Sequence, residues 1–533
     1  MLFYVCFQQT HNPKRAFQVK RKKRKKTQRR QQKNQQQKRE RRQRKLKQRL
    51  AHKAFKASKE PLLAYLPIDY ELAERTRVLP QGGLGVFHLM TTQLKLPETI
   101  NQHVKVLKRH LPYFESDHIL SLSYNYLTGG KTLEDLNRLR QNEVYLDALD
   151  LERVPAPSTA GDFLRRFDEA AILDLQQALN QVRVKVWQRQ GAAFRKQAVI
   201  DVDGTFSETD AQCKEGIAYS GHKRAWGYAP LLVSLAKTGE PLFVVNRPGS
   251  AVSHLGAVPW IDRALDLVEP VFDRLYLRGD TDFSLTENFD KWHARGVQFI
   301  FGYDAIKPLV ARAQALPEEA WSTLERPPSY EVKTQRRSKA KNLKQEIVYE
   351  RAYKKITLVA EAVAWFAYRP GKCARAYRMV VLRKHERITR GAQVLEERYR
   401  YLFYITNDEQ QTSAQLVLFI DQRCNQENLI EQLKNGVPAF HAPSNTLESN
   451  WVAMVIAALA WSLKAWYGLL IQEPGLGREI VQMEFKQFLR RFIEIPCQIV
   501  RQGRRLIYRI VHFTLDTLTF LRLFARLKSL EFP

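Results

Sequence analysis

The chain has 533 residues, 44% of them hydrophobic, and carries 86 Lys+Arg against 55 Asp+Glu, a formal net charge of +31. It is long enough for about three or four structural units with a large core, and its charge points to a polyanionic partner, nucleic acid above all. The five cysteines (Cys6, Cys213, Cys373, Cys424 and Cys497) form no C-x-x-C pair, which argues against a disulfide framework or a structural zinc site and fits a reducing cytosol.

Residues 1–60 hold 23 Lys/Arg and 2 acids, leaving a net of +10 for the remainder. The segment 14–59 is mostly Lys, Arg and Gln. It has too little apolar surface to offset its ordering entropy, so it reads as a disordered tail. Two readings stand side by side: a DNA-phosphate contact through counterion release, and a solvated tail or an extension from a misplaced start codon. The apolar start MLFYVCF precedes its charges, the reverse of a secretory leader, so none is expected.

Residues 61–195 read as a helical, DNA-binding domain, with helices over Leu84–Leu94, Glu98–Leu107, Asp117–Leu127 and Leu133–Arg140. Ser158 or Thr159 is the expected N-cap of another, with Phe163 and Phe167 one turn apart. The period then changes. QAVIDVDGTF, YAPLLVSLA and PLFVVN read as strands, the last two joined by a turn at Lys237–Glu240. A helix at Ala257–Val268, the strand DRLYLRGD, a helix at Leu285–Arg295 and the strand VQFIFGYD follow, so 196–309 reads as the first part of an α/β core. Residues 310–408 read as a β-rich insertion, with a polar, basic stretch at Arg326–Lys344. Its aromatic residues Trp365, Phe366 and Tyr368 read as core. Helices at Ser413–Lys434 and Thr446–Gln472 give the second part of the core, 409–475. The apolar run Trp451–Ile471, broken by Ser462 and Lys464, reads as a buried helix with no membrane partner. The C-terminal region, 476–533, reads as a helix, a hairpin around Gly503 and an amphipathic helix.

Alternation along the 197–207 strand places Val199, Asp201 and Asp203 on one face and Ile200 and Val202 on the other. Two aspartates on an otherwise buried strand need compensation, and a bound cation supplies it. The second strand brings Asp280 and Asp282 to its carboxyl end, where ligand sites of open α/β sheets gather, and Gly279 permits a phosphate or backbone to come close. On a continuous helix Arg423, Glu427 and Lys434 share a stripe about 40° wide, a carboxylate flanked by two cations. The oxygen-only set Asp203, Asp280 and Glu427 suits Mg²⁺, with Mn²⁺ as a substitute. Two such ions about 3.5–4 Å apart serve in-line phosphoryl displacement. Asp201 and Asp282 also read as turn formers, Glu427 as a solvated partner of Arg423, and Glu431 and Glu448 as rival third carboxylates. Arg278, Lys214, His222, Lys223 and Arg224 are candidate phosphate contacts, or solvated charges.

These residues resemble the bacterial insertion-sequence DDE transposases with the helix signature Y-x2-R-x3-E-x6-K. Arg423, Glu427 and Lys434 match its spacing, and Ile420 stands where the tyrosine is expected. Asp203-Gly204-Thr205 matches the D-x-T turn of the first family aspartate, and LRGDTDF matches the strand end of the second, at Asp280. KEGIAYSGHKRAWGYAPLLVSLAKTGEPL, followed by NRPGS, is similar to a subgroup with a glycine- and tyrosine-rich stretch after the first aspartate. The resemblance implies an RNase H-like core, a mixed sheet flanked by helices and interrupted by a β-rich insertion, whose Trp365, Phe366 and Tyr368 would offer a surface on which a displaced base stacks. It implies cut-and-paste DNA transposition with Asp203, Asp280 and Glu427 as catalytic metal ligands, double-stranded DNA partners in terminal inverted repeats and target DNA, and a homodimer on paired ends in the cytoplasm or nucleoid. The alternatives are an RNase H-like nuclease, an inactive or domesticated DNA-binding derivative, and a basic structural protein led by its tail.

Overall fold

The computed structural model describes residues 77–530, apart from 111, 328–346, 349, 350, 352, 392, 472, 504 and 515, together with 37, 40, 41 and 44. Apart from those four positions the expected disordered tail, and nearly all of the polar 326–344 stretch, lie outside the described residues. In chain order the strands are β1 (Val78–Leu79), β2 (Ala198–Gly204), β3 (Ser207–Glu208), β4 (Ala218–Ser220), β5 (Ala225–Tyr228), β6 (Leu231–Leu235), β7 (Glu240–Val245), β8 (Leu275–Gly279), β9 (Gln298–Tyr303), β10 (Ser322–Thr323), β11 (Lys354–Tyr368), β12 (Tyr377–Arg390), β13 (Gln393–Thr406), β14 (Cys497–Gln502) and β15 (Arg505–Ile510).

Nine strands form one mixed sheet in the order β10-β11-β12-β13-β9-β8-β2-β6-β7. The central β2, β8 and β9 run parallel to one another, while β6 is antiparallel to both β2 and β7. Ile200 and Val202 are buried, as are all of β6 and β7, because both faces of this half of the sheet are covered. The strands of 310–408 are continuous with this sheet. β13 pairs antiparallel with β9, so the long meander β11–β13 prolongs the same sheet. One face of the join is sealed by the Ser413–Asp421 helix, whose Leu416, Val417 and Ile420 pack with Tyr276, Ile300, Val363, Val380 and Leu382.

The helices of the 84–195 region belong to the same compact unit as the sheet, Gly83–Glu494. At their centre runs the Leu447–Leu470 helix. It has the length and apolarity of a membrane span, but 94% of its apolar window is buried inside the protein. Buried Glu240 on β7 accepts from Arg183 Nε (3.1 Å), Trp187 Nε1 (3.0 Å) and Trp466 Nε1 (2.8 Å), tying the Glu169–Gln188 helix, the sheet edge and the central helix together. Such a carboxylate is tolerable in a core because every partner is polar and well placed.

Some local expectations differ. The helix expected to be capped by Ser158 or Thr159 starts at Pro157 with Ala156 as N-cap, since proline's fixed φ suits the first helical position. The helix expected from Leu285 is preceded by short 3-10 turns at Thr281–Phe283 and Thr286–Asn288, and only Phe289–Ala294 is α-helical. Those turns begin at Asp280, so the chain leaving β8 is shaped by that side chain. Among the described residues, a second compact unit comprises 77–82 and Ile495–Leu530. In it β14 pairs antiparallel with β1 and β15, and the amphipathic helix Asp516–Lys528 buries Phe520, Leu523 and Leu527.

Candidate active site

The parallel register of β2 and β8 sets Asp201 opposite Arg278. Two residues further along each chain, Asp203 and Asp280 therefore emerge at the same carboxyl edge of the sheet. Asp280 caps the turn that follows, accepting from Asp282 N at 3.0 Å. Burial pushes the Asp203 carboxyl up to about 6, with the neighbouring Asp280 charge acting in the same direction and Arg423 opposing it. Burial raises Asp280 as well, again against Arg423. Two half-sheltered carboxyls facing one cation form a centre with high affinity for positive charge.

Arg423 comes to this centre from a break in the chain. The Ser413–Asp421 helix ends, Gln422 and Arg423 form a turn, and a new helix runs from Cys424 to Glu431 before a π-turn at Gln432–Gly436. The single continuous helix expected across Ser413–Lys434 is thus three pieces. The stripe survives in part because Arg423 and Glu427 lie within one turn of each other. Arg423 Nη1 donates to Asp203 Oδ2 at 3.1 Å, and its Nη2 lies 3.6 Å from Glu427 Oε1. The Glu427 side chain is 61% exposed. Among the described residues no three Asp, Glu, His or Cys side chains cluster tightly enough to hold a metal ion. The positive group between Asp203 and Glu427 is the guanidinium. The donor chemistry, carboxylate oxygens alone, fits a hard divalent cation such as Mg²⁺ or Mn²⁺.

Asp201 and Arg278 correct the reading from alternation. Arg278 Nε and Nη2 donate to the two oxygens of Asp201 at 2.7 and 2.8 Å, and Nη1 donates to Phe419 O at 2.6 Å. The guanidinium also lies 4.7 Å over the Phe419 ring. Arg278 is 2% exposed, so it compensates Asp201 inside the protein and offers nothing to a phosphate. Gly279 is likewise explained by packing: a Cβ there would come within 2.9–3.0 Å of Phe283 and Phe301.

The remaining candidate cations divide. Lys434 is half-buried. Burial and the nearby charge of Lys223 lower its pKa, while Glu208, Glu431 and Asp203 act the other way, so both lysines are neighbours of the carboxylate centre. Lys223 and Arg224 are exposed at the turn between β4 and β5, beside the exposed His222. Lys214 spends a donor on the Ala442 carbonyl and is half-buried. Trp365 is exposed, with Arg378 5.2 Å over its ring, whereas Phe366 is buried in the sheet.

Sequence reasoning passed over Arg247. Buried between Asn246 and Pro248, it donates to the carbonyls of Ala229, Ser253 and Leu255, and its Nη2 lies 3.5 Å from where a Cβ on Gly204 would stand. It fixes the loop behind the Asp203 turn. A lone arginine closing the apolar run PLFVVN was the available signal.

The fold and site define a mixed α/β protein with an oxygen-donor, carboxylate centre at the carboxyl edge of its sheet. Residues 76–532 match the family described as Transposase DDE domain group 1, and the chain belongs to that family. No curated protein matches it. Among solved structures it is similar to a piggyBac transposase synaptic complex with hairpin DNA, at 11% identity and a TM-score of 0.36, over 76% of this chain and 81% of that one.

Proposed function

We propose that the protein is the DNA transposase of a bacterial insertion sequence, cutting and joining DNA by a divalent-metal-dependent, cut-and-paste route. The observation that carries the reading is the emergence of Asp203 and Asp280 from adjacent parallel strands at one edge of the sheet, with Arg423 bonded to Asp203 and Glu427 reaching that arginine. The order β7-β6-β2-β8-β9, with β6 alone antiparallel, supports an RNase H-like core. Family membership supports DNA as the partner.

In this reading Asp203, Asp280 and Glu427 hold the metal. When bound, the ions increase the nucleophilicity of the attacking oxygen and stabilise the leaving 3′-oxygen. Burial of Asp203 keeps water from competing at its carboxylate. Arg423 and Lys434, with Lys223, Arg224 and Lys214 around the rim, orient the phosphates so that the scissile bond lies in line. Water attacks first at an element end. The freed 3′-hydroxyl then attacks a second phosphodiester, one P–O bond forming as another breaks. Terminal inverted repeats and target DNA are the substrates, a homodimer on paired ends the assembly, and the bacterial cytoplasm or nucleoid the place of work. The helices of 84–195 are proposed to bind DNA.

The test uses the full chain, DNA carrying the sequences that flank its gene, and Mg²⁺ or Mn²⁺. Nicking and strand-transfer products are expected from the unaltered protein and none from Asp280→Asn. Equal cleavage by both would overturn the assignment. The exposure of Glu427 and the arginine among the carboxylates favour one second reading, an inactive DNA-binding derivative. It predicts specific DNA binding without products under every metal condition.

A further inference from the structure

Between β2, which carries Asp203, and β6, the chain leaves the large sheet and builds a small one of its own, β3-β5-β4. Its base is fixed at many points. Ser207 Oγ donates to Phe440 O at 2.5 Å, Glu215 N to Asn445 O at 2.8 Å, and Tyr228 OH to Glu215 O at 2.9 Å. Gly249 N donates to Gly216 O, and a Cβ on Gly249 would stand 2.0 Å from Gly227 O, so the strand bases and this loop touch backbone to backbone. The far end is different. Tyr219 on β4 and Trp226 on β5 are cross-strand partners on one face, their rings 5.8 Å apart at 63°. Tyr219 is 55% exposed, and Trp226 is half-buried beneath it. Just beyond them the turn carries His222, Lys223 and Arg224, all exposed and none in an ion pair among the described residues. Lys223 is close enough to Lys434 to lower its pKa, and Lys434 in turn lies near Asp203.

A rigidly based hairpin thus holds an open aromatic face and unpaired cations beside the carboxylate centre. Tyr219 packs against Trp226 yet leaves more than half of its surface open, and like charges brought close cost energy until an anion joins them. Stacking faces flanked by cations are the general chemistry of single-strand binding.

We propose that the β4–β5 hairpin is a single-stranded DNA contact, with Tyr219 and Trp226 stacking one unpaired base and Lys223 and Arg224 holding the phosphates beside it. The proposal rests on the reading of the Asp203 centre as one that acts on DNA. It adds that the strand at that centre is unpaired over at least one base. The aromatic face carries no hydrogen-bonding selection, so it accepts any base.

The experiment uses the full chain in EDTA and an oligonucleotide with 2-aminopurine in a single-stranded overhang. Unaltered protein is expected to quench the probe by stacking. Tyr219→Ala, at an exposed position that leaves the fold intact, should weaken binding to the overhang about tenfold and abolish the quench, and Tyr219→Phe should restore both. Lys223→Gln with Arg224→Gln should reduce the log–log salt slope by about 0.7 for each phosphate the variant no longer neutralises. A quench and affinity unchanged in Tyr219→Ala, or no quench by the unaltered protein, would overturn the proposal. Asp280→Asn should quench normally in EDTA and, in a parallel assay with Mg²⁺, fail to cleave. If the unaltered protein quenches in EDTA but yields no cleavage with Mg²⁺ or Mn²⁺, the transposase reading falls, while the hairpin stands as a single-strand contact without its link to cleavage at Asp203.

Discussion

Arg423 stands between two carboxylates, 3.1 Å from Asp203 Oδ2 and 3.6 Å from Glu427 Oε1. A guanidinium and a divalent cation compete for the same oxygens. Arg423→Met should therefore raise Mn²⁺ affinity in the absence of DNA by about tenfold, read by titration calorimetry, because a nearby positive charge has been removed. The same variant should cleave DNA more slowly, having lost a phosphate-orienting group. Unchanged or weaker Mn²⁺ binding would show that the arginine does not contest the site.

Asp203 makes stability depend on pH. Its folded carboxyl titrates near 6, against 3.8 for an unperturbed aspartate. The native state holds this proton more tightly than the unfolded chain, so stability falls as pH rises from about 4 to about 6 and stays lowered above that. Asp203→Asn should be the more stable protein at pH 7.5, by up to about 2–3 kcal/mol, and no more stable near pH 3.5. Thermal unfolding at the two pH values decides, and a variant less stable at pH 7.5 contradicts the burial argument.

The Asp201–Arg278 pair separates a structural role from a DNA contact. Either Asp201→Asn or Arg278→Met leaves a buried charge or its hydrogen-bonding groups unmatched. Each should cost about 3–5 kcal/mol in urea unfolding, and Asp201→Leu with Arg278→Met together should recover much of it. If Arg278→Met instead leaves stability untouched and weakens only DNA binding, the buried pair is not what holds this arginine.

This pair also shows where sequence reasoning reached and where it stopped. Period-two alternation placed Asp201 and Asp203 on one face correctly, and strand–helix alternation gave the order of the α/β elements, since both are local properties of the chain. Alternation could not say that Arg278 sits beside Asp201 in the parallel register, because pairing between strands 77 residues apart is a tertiary fact. The helices on either side of Arg423 were legible from their apolar positions. The break between them at Gln422–Arg423 was not, because neither residue is a helix breaker and the turn lies where the chain passes from the sheet to the Asp203 edge. The meander β11–β13 was read as β structure from its residues. That it joins β9 in one sheet depends on hydrogen bonds at Phe403–Thr406 that no short window reveals.

Lys464 gives the last prediction. It lies wholly buried on the central helix, its Nζ donating to Val481 O at 2.8 Å and Met483 O at 2.6 Å and lying 3.6 Å over the Trp461 ring. Burial lowers its pKa from 10.5 to about 7. The unfolded chain therefore binds this proton more tightly than the native state, and stability contributed by the group rises as pH increases from about 7 to about 10.5. The two carbonyls lie at the end of the Pro474–Gln482 helix, where a cation is favoured, so part of the cost at neutral pH is offset. Measured against Lys464→Met, the unaltered protein should gain about 1–3 kcal/mol between pH 7 and pH 9.5. Because both proteins share every other titrating group, the difference isolates this one. A difference flat across that range would mean that the carbonyls and the indole ring hold the ammonium charged throughout.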